Sequence, residues 1–451
     1  MIDRISMEVW NLAELSIEEH QSAQVHIREL EAAGFQVAKG ASGCKTAFIA
    51  EWSQGKGGPK IGFLPEYDAL PGLNNAAVSE PQSFGSNTNG HGCGHNLLGA
   101  GCTGAAIALK KLMEREKLPG TLRVYGCAAE ELRGVKVFMA RDGLFNDLDA
   151  ALAWHPAPFA GAGDVRTAAS NQMTIEFFGR TAHAGVAPWE GRSALHAAEL
   201  FAHSLNLMRE HVEPTARIQY IFEAAGEATN VVCEYSRVLL VIRDQDRRRV
   251  EAHVDWARQA AQGAAMATQT RAEFKVLFGM WDLLPNSPLI ESVHANLQRF
   301  GVVEWTEEEQ AFARICQKRY KVPEVGLTGK IQLIMGAKTG GATDVGDVSW
   351  ITPSTVFAVP SMPAGLPMHS WVTTACSGMS IGLKSAVAAS AVLTATGYQL
   401  LTDPALVAAA RADLVKRKGS IEYVAPFPPE TTYEMASARS GFRNDANDQP
   451  F

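Results

Sequence analysis

Residues 90–96 read Gly-His-Gly-Cys-Gly-His-Asn. Cys93 and His95 are metal ligands by type, and one glycine separates them. In an extended or tightly turned segment both can face one cation, because glycine lets the backbone come close. Four other places share one local design, in which a buried-looking strand ends and releases a polar, chemically capable group. "IGFL" releases Glu66 and Asp68, "LRVYGCAA" releases Glu130 and Glu131, and "LDAALAW" releases His155. "TVFAVP" is followed, across a glycine-proline loop, by His369. In open α/β sheets, ligands gather at the carboxyl ends of the strands, so residues distant in sequence meet there. Cys93, His95, Glu131, His155 and His369 are types suited to zinc or a similar transition ion. Five ligands exceed one tetrahedral site that also holds a water; they suit two ions sharing a bridging group. Adjacent carboxylates after a strand diverge, so one of Glu130 and Glu131 can bind metal while the other stands over a metal-bound water. Such a water has its pKa lowered to about 7, and a nearby carboxylate can take its proton. The chemistry expected is metal-assisted hydrolysis.

Simpler readings account for other features. Cys102, Cys127 and Cys376 read as buried packing residues. The cysteines do not pair as C-x-x-C, which makes a classical zinc finger a poor alternative. "GAGCTG" matches G-x-G-x-x-G literally, but it follows the histidine loop rather than a strand, so close helix packing explains it better.

The elements that would hold these groups alternate between strand and helix. Apolar positions at helical spacing predict an opening helix over 12–36. "KTAFIAEW" and "KIGFLPEYDALPG" read as strands, 97–116 as a helix with a small-residue face, and 377–397 as another such helix. This alternation predicts an α/β domain with a mostly parallel sheet. The texture changes near residue 170 to a β-α-β-β-α-β set of about one hundred residues, a ferredoxin-like order that can stand alone. The expected organisation is a catalytic domain over 1–168 and 281–451, interrupted by an inserted α+β domain at 169–280. The tail after about 420 reads as extended and proline-rich.

The formal net charge of −7 argues against a nucleic-acid or polybasic membrane role. No stretch approaches the ~18 uninterrupted apolar residues of a membrane span. The N-terminus lacks the basic start and apolar run of a signal peptide. Seven irregularly spaced cysteines suit reduced thiols, so a cytoplasmic location is expected.

The chain resembles the M20 family of metallopeptidases and amidohydrolases, within it the branch of p-aminobenzoyl-glutamate hydrolase B subunits. The resemblance rests on "GFLPEYDALPG", "NGHGCGHNLLGAG", "AAEE", "GRTAHAGVAPWEGRSAL", "EATNVV" and "GGATDVGDVSWITP", in that order. It implies a two-metal catalytic domain carrying an inserted lid domain that mediates homodimerisation. It implies Cys93 as a bridging thiolate, Glu130 as general base and Glu131 as a ligand. Asp68 would orient a ligand histidine. His183 would reach across the dimer and stabilise the developing oxyanion. Asn230 and Arg243 would grip the substrate's carboxylate. Two positions depart from the pattern: many relatives carry Asp where this chain has Asn96, and distant members carry a histidine ligand near Glu66.

The expected protein is an amidohydrolase with two divalent ions, Zn or Mn. It would cleave the amide of an N-acyl or N-aroyl amino acid, through a metal-bridging hydroxide with Glu130 as base. The alternatives are a carboxypeptidase or dipeptidase on true peptides, and an inactive binding protein of the same fold.

Overall fold

The strand-forming runs pair into two sheets in a computed structural model that describes residues 1–301 and 303–437. In chain order, β1 (Gln36–Lys39), β2 (Phe48–Gln54), β3 (Lys60–Phe63), β4 (Gly120–Gly126), β5 (Ala150–Ala157) and β6 (Ala160–Arg166) come first. Then follow β7 (Ala169–Phe178), β8 (Arg217–Ala224), β9 (Tyr235–Asp244) and β10 (Arg271–Met280). Last come β11 (Ile331–Lys338) and β12 (Ser354–Pro360).

The chain forms two compact units. The first comprises Met1–Val165, Leu284–Ala337 and Asp347–Tyr423. Its eight-stranded sheet has the order β1-β2-β4-β3-β5-β12-β6-β11. The centre, β4-β3-β5-β12, is parallel throughout, and antiparallel strands flank it. Strands buried on both faces read as continuous apolar runs. β5 does so, with Trp154 fully buried. The helix His95–Glu116 packs against Ser380–Thr402 through small residues. A Cβ on Gly101 would lie 2.6 Å from the Trp154 indole, and one on Gly104 2.6 Å from Ile2. Close packing is therefore what the "GAGCTG" glycines serve. The expected single opening helix over 12–36 is instead two, Ile2–Leu12 and His20–Ala32. Ala13, in the left-handed region at φ 42°, closes the first.

The second unit comprises Arg166–Leu283, Lys338–Gly346 and, among the described residues, 424–437. Its sheet has the order β10-β7-β9-β8, antiparallel throughout, which is the ferredoxin-like arrangement of the β-α-β-β-α-β order. β9 alternates strictly, with Val238, Leu240 and Ile242 buried in the core shared with Phe201 and Val254 of the helices Ala194–Met208 and Arg247–Thr268. Two segments that the sequence reading grouped with the catalytic domain, 338–346 and 424–437, pack with this unit. The tail's last residues, 438–451, lie outside the described residues. Among the described residues no single helix is long and apolar enough to cross a membrane.

His26 supplies a pH-dependent element of stability. It is fully buried, with Nδ1 2.9 Å from Thr103 Oγ1, and burial lowers its pKa to about 3. The unfolded chain therefore binds a proton between about pH 6.5 and 3 that the folded chain does not. The contribution is full above pH 6.5 and is lost as pH falls towards 3, by an amount on the order of 4 kcal/mol. Unfolding midpoints across pH 3–7 should fall with decreasing pH, and less steeply in His26→Gln. An identical slope in the variant would contradict this origin.

Candidate metal centre

The carboxyl ends of the four parallel strands converge, and the "HGCGH" loop closes over them. Gly94, at φ 82°, turns the chain into the helix that starts at His95. A Cβ there would meet Pro156 at 3.0 Å, immediately beside His155. The loop after β12 is tied to the same place, since His369 N donates to the Gly92 carbonyl at 2.9 Å. His369 itself holds φ 54°, a left-handed conformation that non-glycine residues adopt at a cost of about 1–3 kcal/mol.

These connections bring all five sequence-selected ligand residues together as two trios. Cys93, His95 and His155 present donor atoms within 4.8 Å of one another, and so do Cys93, Glu131 and His369. Cys93 is common to both. Its Sγ lies 3.5 Å from His155 Nε2, and His369 Nε2 lies 3.3 Å from Glu131 Oε1. Asp68 joins the set from below. Its Oδ1 is 2.7 Å from His95 Nδ1, while Oδ2 accepts from Ser16 Oγ at 2.7 Å and from Glu131 N at 3.0 Å. It thereby leaves His95 Nε2 facing the trio. His155 is oriented likewise, with Nδ1 2.7 Å from the Pro156 carbonyl. Outer partners of this kind fix the tautomer and direction of metal-binding imidazoles.

The donor set fits cations better than it fits itself. His95 Nε2 and Glu131 Oε1 are buried and make no well-formed hydrogen bond, each only facing another donor atom at 3.3 Å (Glu66 Oε2 and His369 Nε2), which is costly unless a further partner is supplied. Burial pushes the Cys93 thiol well up, although His95 opposes this. At His95 burial disfavours the imidazolium, but Cys93 and Asp68 outweigh it and raise its pKa. The Glu131 carboxylate raises the His369 imidazole. These protons occupy positions that a cation takes over, since ligands bind metal deprotonated. The His95 side chain is 0% exposed and that of His369 is 52% exposed, so the centre opens to solvent on the Glu131–His369 side.

Two groups, Lys136 and Glu19, escaped the sequence reading, and Glu66 was placed by it only at a strand end. Glu66 Oε2 lies 3.3 Å from His95 Nε2, and Oε1 accepts from the fully buried Lys136 at 2.7 Å. Glu66, His95 and Glu130 also present donors within 4.8 Å of one another. A lysine inside the apolar run "GVKVFMA" was the available signal. Glu19, also buried, accepts from Ala129 N at 2.7 Å and from Thr46 Oγ1 at 3.0 Å. Burial and the nearby Asp68 charge push its carboxyl up to about 8. It holds Ala129 at φ 54°, the residue that aims Glu130 and Glu131. No sequence signal marked it.

In the lid unit, His183 and Asn230 are exposed neighbours, with Ala184 N donating to Asn230 O at 2.9 Å and a bridge between His183 and Val231. Arg243 is not with them. It lies opposite Ser170 near one end of the lid sheet, whereas Tyr235, opposite Phe178, marks the end next to the His183 loop. Eight strand residues at ~3.3 Å each put roughly 25 Å between those ends. Asn96, which departs from the resemblance, is buried and donates to Ser6 Oγ at 2.9 Å and to the Ser377 carbonyl at 3.1 Å.

Comparison with known proteins gives this arrangement a family. The pattern of "Peptidase family M20/M25/M40" matches residues 63–432, which includes every ligand residue above. The chain belongs to peptidase family M20/M25/M40. It is a metal-binding hydrolase, an amidohydrolase or peptidase, as this membership and its similarity to other hydrolases establish. This M20 chain is 36% identical over 457 residues to the B subunit of p-aminobenzoyl-glutamate hydrolase from Escherichia coli K12, with 95% of each chain covered. It is 28% identical over 365 residues to the human Xaa-Arg dipeptidase, covering 77% of this chain and 74% of that one. A solved Bacillus subtilis structure, described as a dinuclear metal binding peptidase from the M20 family, shares the fold with a TM-score of 0.63 at 18% identity. That match covers 89% of this M20 chain and 98% of the other.

Proposed function

We propose that this enzyme hydrolyses the amide joining an aroyl or acyl group to an amino acid, with p-aminobenzoyl-glutamate-like compounds as the preferred class. The single observation that carries this reading is the shared thiol: Cys93 belongs to both donor trios, and Glu130 stands beside them. The whole-length similarity to one chain of a p-aminobenzoyl-glutamate hydrolase supports the substrate class. The residues fit two divalent ions, one on Cys93, His95 and His155 and the other on Cys93, Glu131 and His369. Bound there, the ions would polarise the amide carbonyl and lower the pKa of a water. The thiolate favours zinc, and manganese is the alternative.

The protein's own part is proton handling and alignment. Glu130 takes the proton of the attacking water and delivers it to the departing amine. Asp68 holds His95 in register through Nδ1. Glu19 fixes the Ala129 turn and so the direction of Glu130. His183 donates to the carbonyl oxygen as charge builds on it, a contribution worth about 3–4 kcal/mol in comparable sites. Asn230 and Arg243 bind the substrate's carboxylate. With Arg243 at the other end of the lid sheet from His183 and Asn230, the two could grip one substrate only if different subunits supply them. A dimer through the lid accords with that. β8 is an edge of its sheet, with Ile221 and Phe222 exposed, and Leu200 and Leu207 are exposed on the helix Ala194–Met208. The partner is a second copy of this chain or a related chain of another type, which the naming of the Escherichia coli relative as a B subunit allows. A cytoplasmic location is part of this proposal, and the seven free cysteines support it.

A panel of N-aroyl amino acids, N-acyl amino acids and dipeptides tests the reading by release of free amine. Aroyl-glutamates should show kcat/KM at least tenfold above the dipeptides. Turnover confined to dipeptides, toward which the Xaa-Arg dipeptidase similarity points, would replace this reading with a dipeptidase. Metal-loaded protein that hydrolyses nothing in the panel would favour a binding role.

A further inference from the structure

The lid unit holds a second cluster of ligand-type side chains, separate in sequence and in element from the M20 centre. Glu213 lies in the turn before β8, Asp244 ends β9, and His253 sits in the helix Arg247–Thr268. Their donor atoms lie within 4.8 Å of one another. His253 Nε2 is 3.5 Å from Asp244 Oδ2 and 3.7 Å from Glu213 Oε2. Those separations are too long for hydrogen bonds. They are close to the ~3.4 Å that separates two donors held tetrahedrally at ~2.1 Å from one ion.

The second observation is an unmet need. The Asp244 side chain is 0% exposed and that of His253 10%. Yet Asp244 Oδ2 and His253 Nε2 are both buried without a hydrogen-bond partner. The other oxygen of Asp244 is fully engaged, accepting from Thr215 Oγ1 at 2.8 Å and from Gln245 N at 2.6 Å. The carboxylate is therefore pinned with Oδ2 turned towards His253. Arg249 is the nearby cation, and it approaches the opposite oxygens. Its Nε lies 3.4 Å from Glu213 Oε1 and its guanidinium 3.8 Å from Asp244 Oδ1. The space between Oδ2, Oε2 and Nε2 is left to another occupant. Even with Arg249 beside them the two carboxylates keep a net negative charge, and two carboxylate oxygens with one imidazole nitrogen suit zinc or a similar transition ion with water completing the shell.

We propose that Glu213, Asp244 and His253 form a mononuclear divalent-cation site within the lid unit, additional to the M20 centre. The ion would tie the turn before β8 to the end of β9 and to the helix above them. Its role is structural, since no group here touches the reacting amide.

The test counts metal in the full-length protein, stripped with a chelator, reloaded with Zn²⁺ alone and dialysed. Glu213→Gln and His253→Gln should each carry one zinc per chain fewer than the parent. Hydrolysis should persist in both. Glu213 is 43% exposed, so its variant carries the test if His253→Gln does not fold. The same comparison on a Cys93→Ala background reads the lid site without the M20 centre. There, one zinc lost on Glu213→Gln supports the proposal whatever becomes of the hydrolytic reading. Equal zinc content in parent and variants on both backgrounds would overturn it.

Discussion

Glu130→Gln is expected to keep its metal and lose its turnover. The substitution preserves shape and removes only the ability to accept a proton. Glu130 opens a short helix directly after the left-handed Ala129, in a turn that Glu19 holds by its hydrogen bond to Ala129 N. The amide side chain should therefore occupy the same place. Positioned general bases contribute roughly 10²–10⁴-fold, and the upper half of that range is expected where one carboxylate both accepts and returns the proton. A 10³-fold fall corresponds to about 4 kcal/mol of transition-state stabilisation. The loss should appear in kcat with KM little changed, because the group acts on the attacking water rather than on the bound substrate. Wild-type kcat in a fully metallated Glu130→Gln protein would remove Glu130 from the mechanism.

Cys93→Ala should abolish both metal positions together. Cys93 is the atom common to the two donor trios, so its removal leaves each with two protein ligands. His155→Ala, which touches one trio only, should reduce affinity at one position and spare the other. Asp68→Asn provides the scale. Loss of an outer partner costs about 10–100-fold in metal affinity or activity, and Cys93→Ala should exceed that at both positions. Competition with a chromophoric chelator reads all three variants. If Cys93→Ala bound two ions with affinities within tenfold of the parent, the thiol would not be the shared ligand.

The candidate ligand residues were legible in the sequence for a physical reason. A parallel sheet leaves its functional groups at one rim: carboxylates follow β3 and β4 within a few residues, His155 lies near the end of β5, and His369 follows β12 across a glycine-proline loop. Chemical type and strand end together select Cys93, His95, Glu131, His155 and His369 without knowledge of their separations. Glu19 carries no such mark. It is the second of two adjacent glutamates before a helix, with no apolar strand leading into it, and its partner, the Ala129 amide, is 110 residues away in the chain. Lys136 showed only as a charge inside an apolar segment, and its meaning came from Glu66 beside His95. The Glu213–Asp244–His253 cluster was equally silent, because its members lie on three elements with ordinary surface-like surroundings in sequence.

The order of apolar runs, glycines and ligand types by itself determined the fold class and the inserted ferredoxin-like unit, and it selected the candidate ligand residues, because periodicity and strand ends are local properties of the chain. Only the tertiary structure decided which donors share Cys93, which carboxylate props up the Ala129 turn, and that Arg243 stands at the opposite end of its sheet from His183. Those outcomes depend on register and on a few ångströms of side-chain approach between segments a hundred residues apart, which no local pattern encodes.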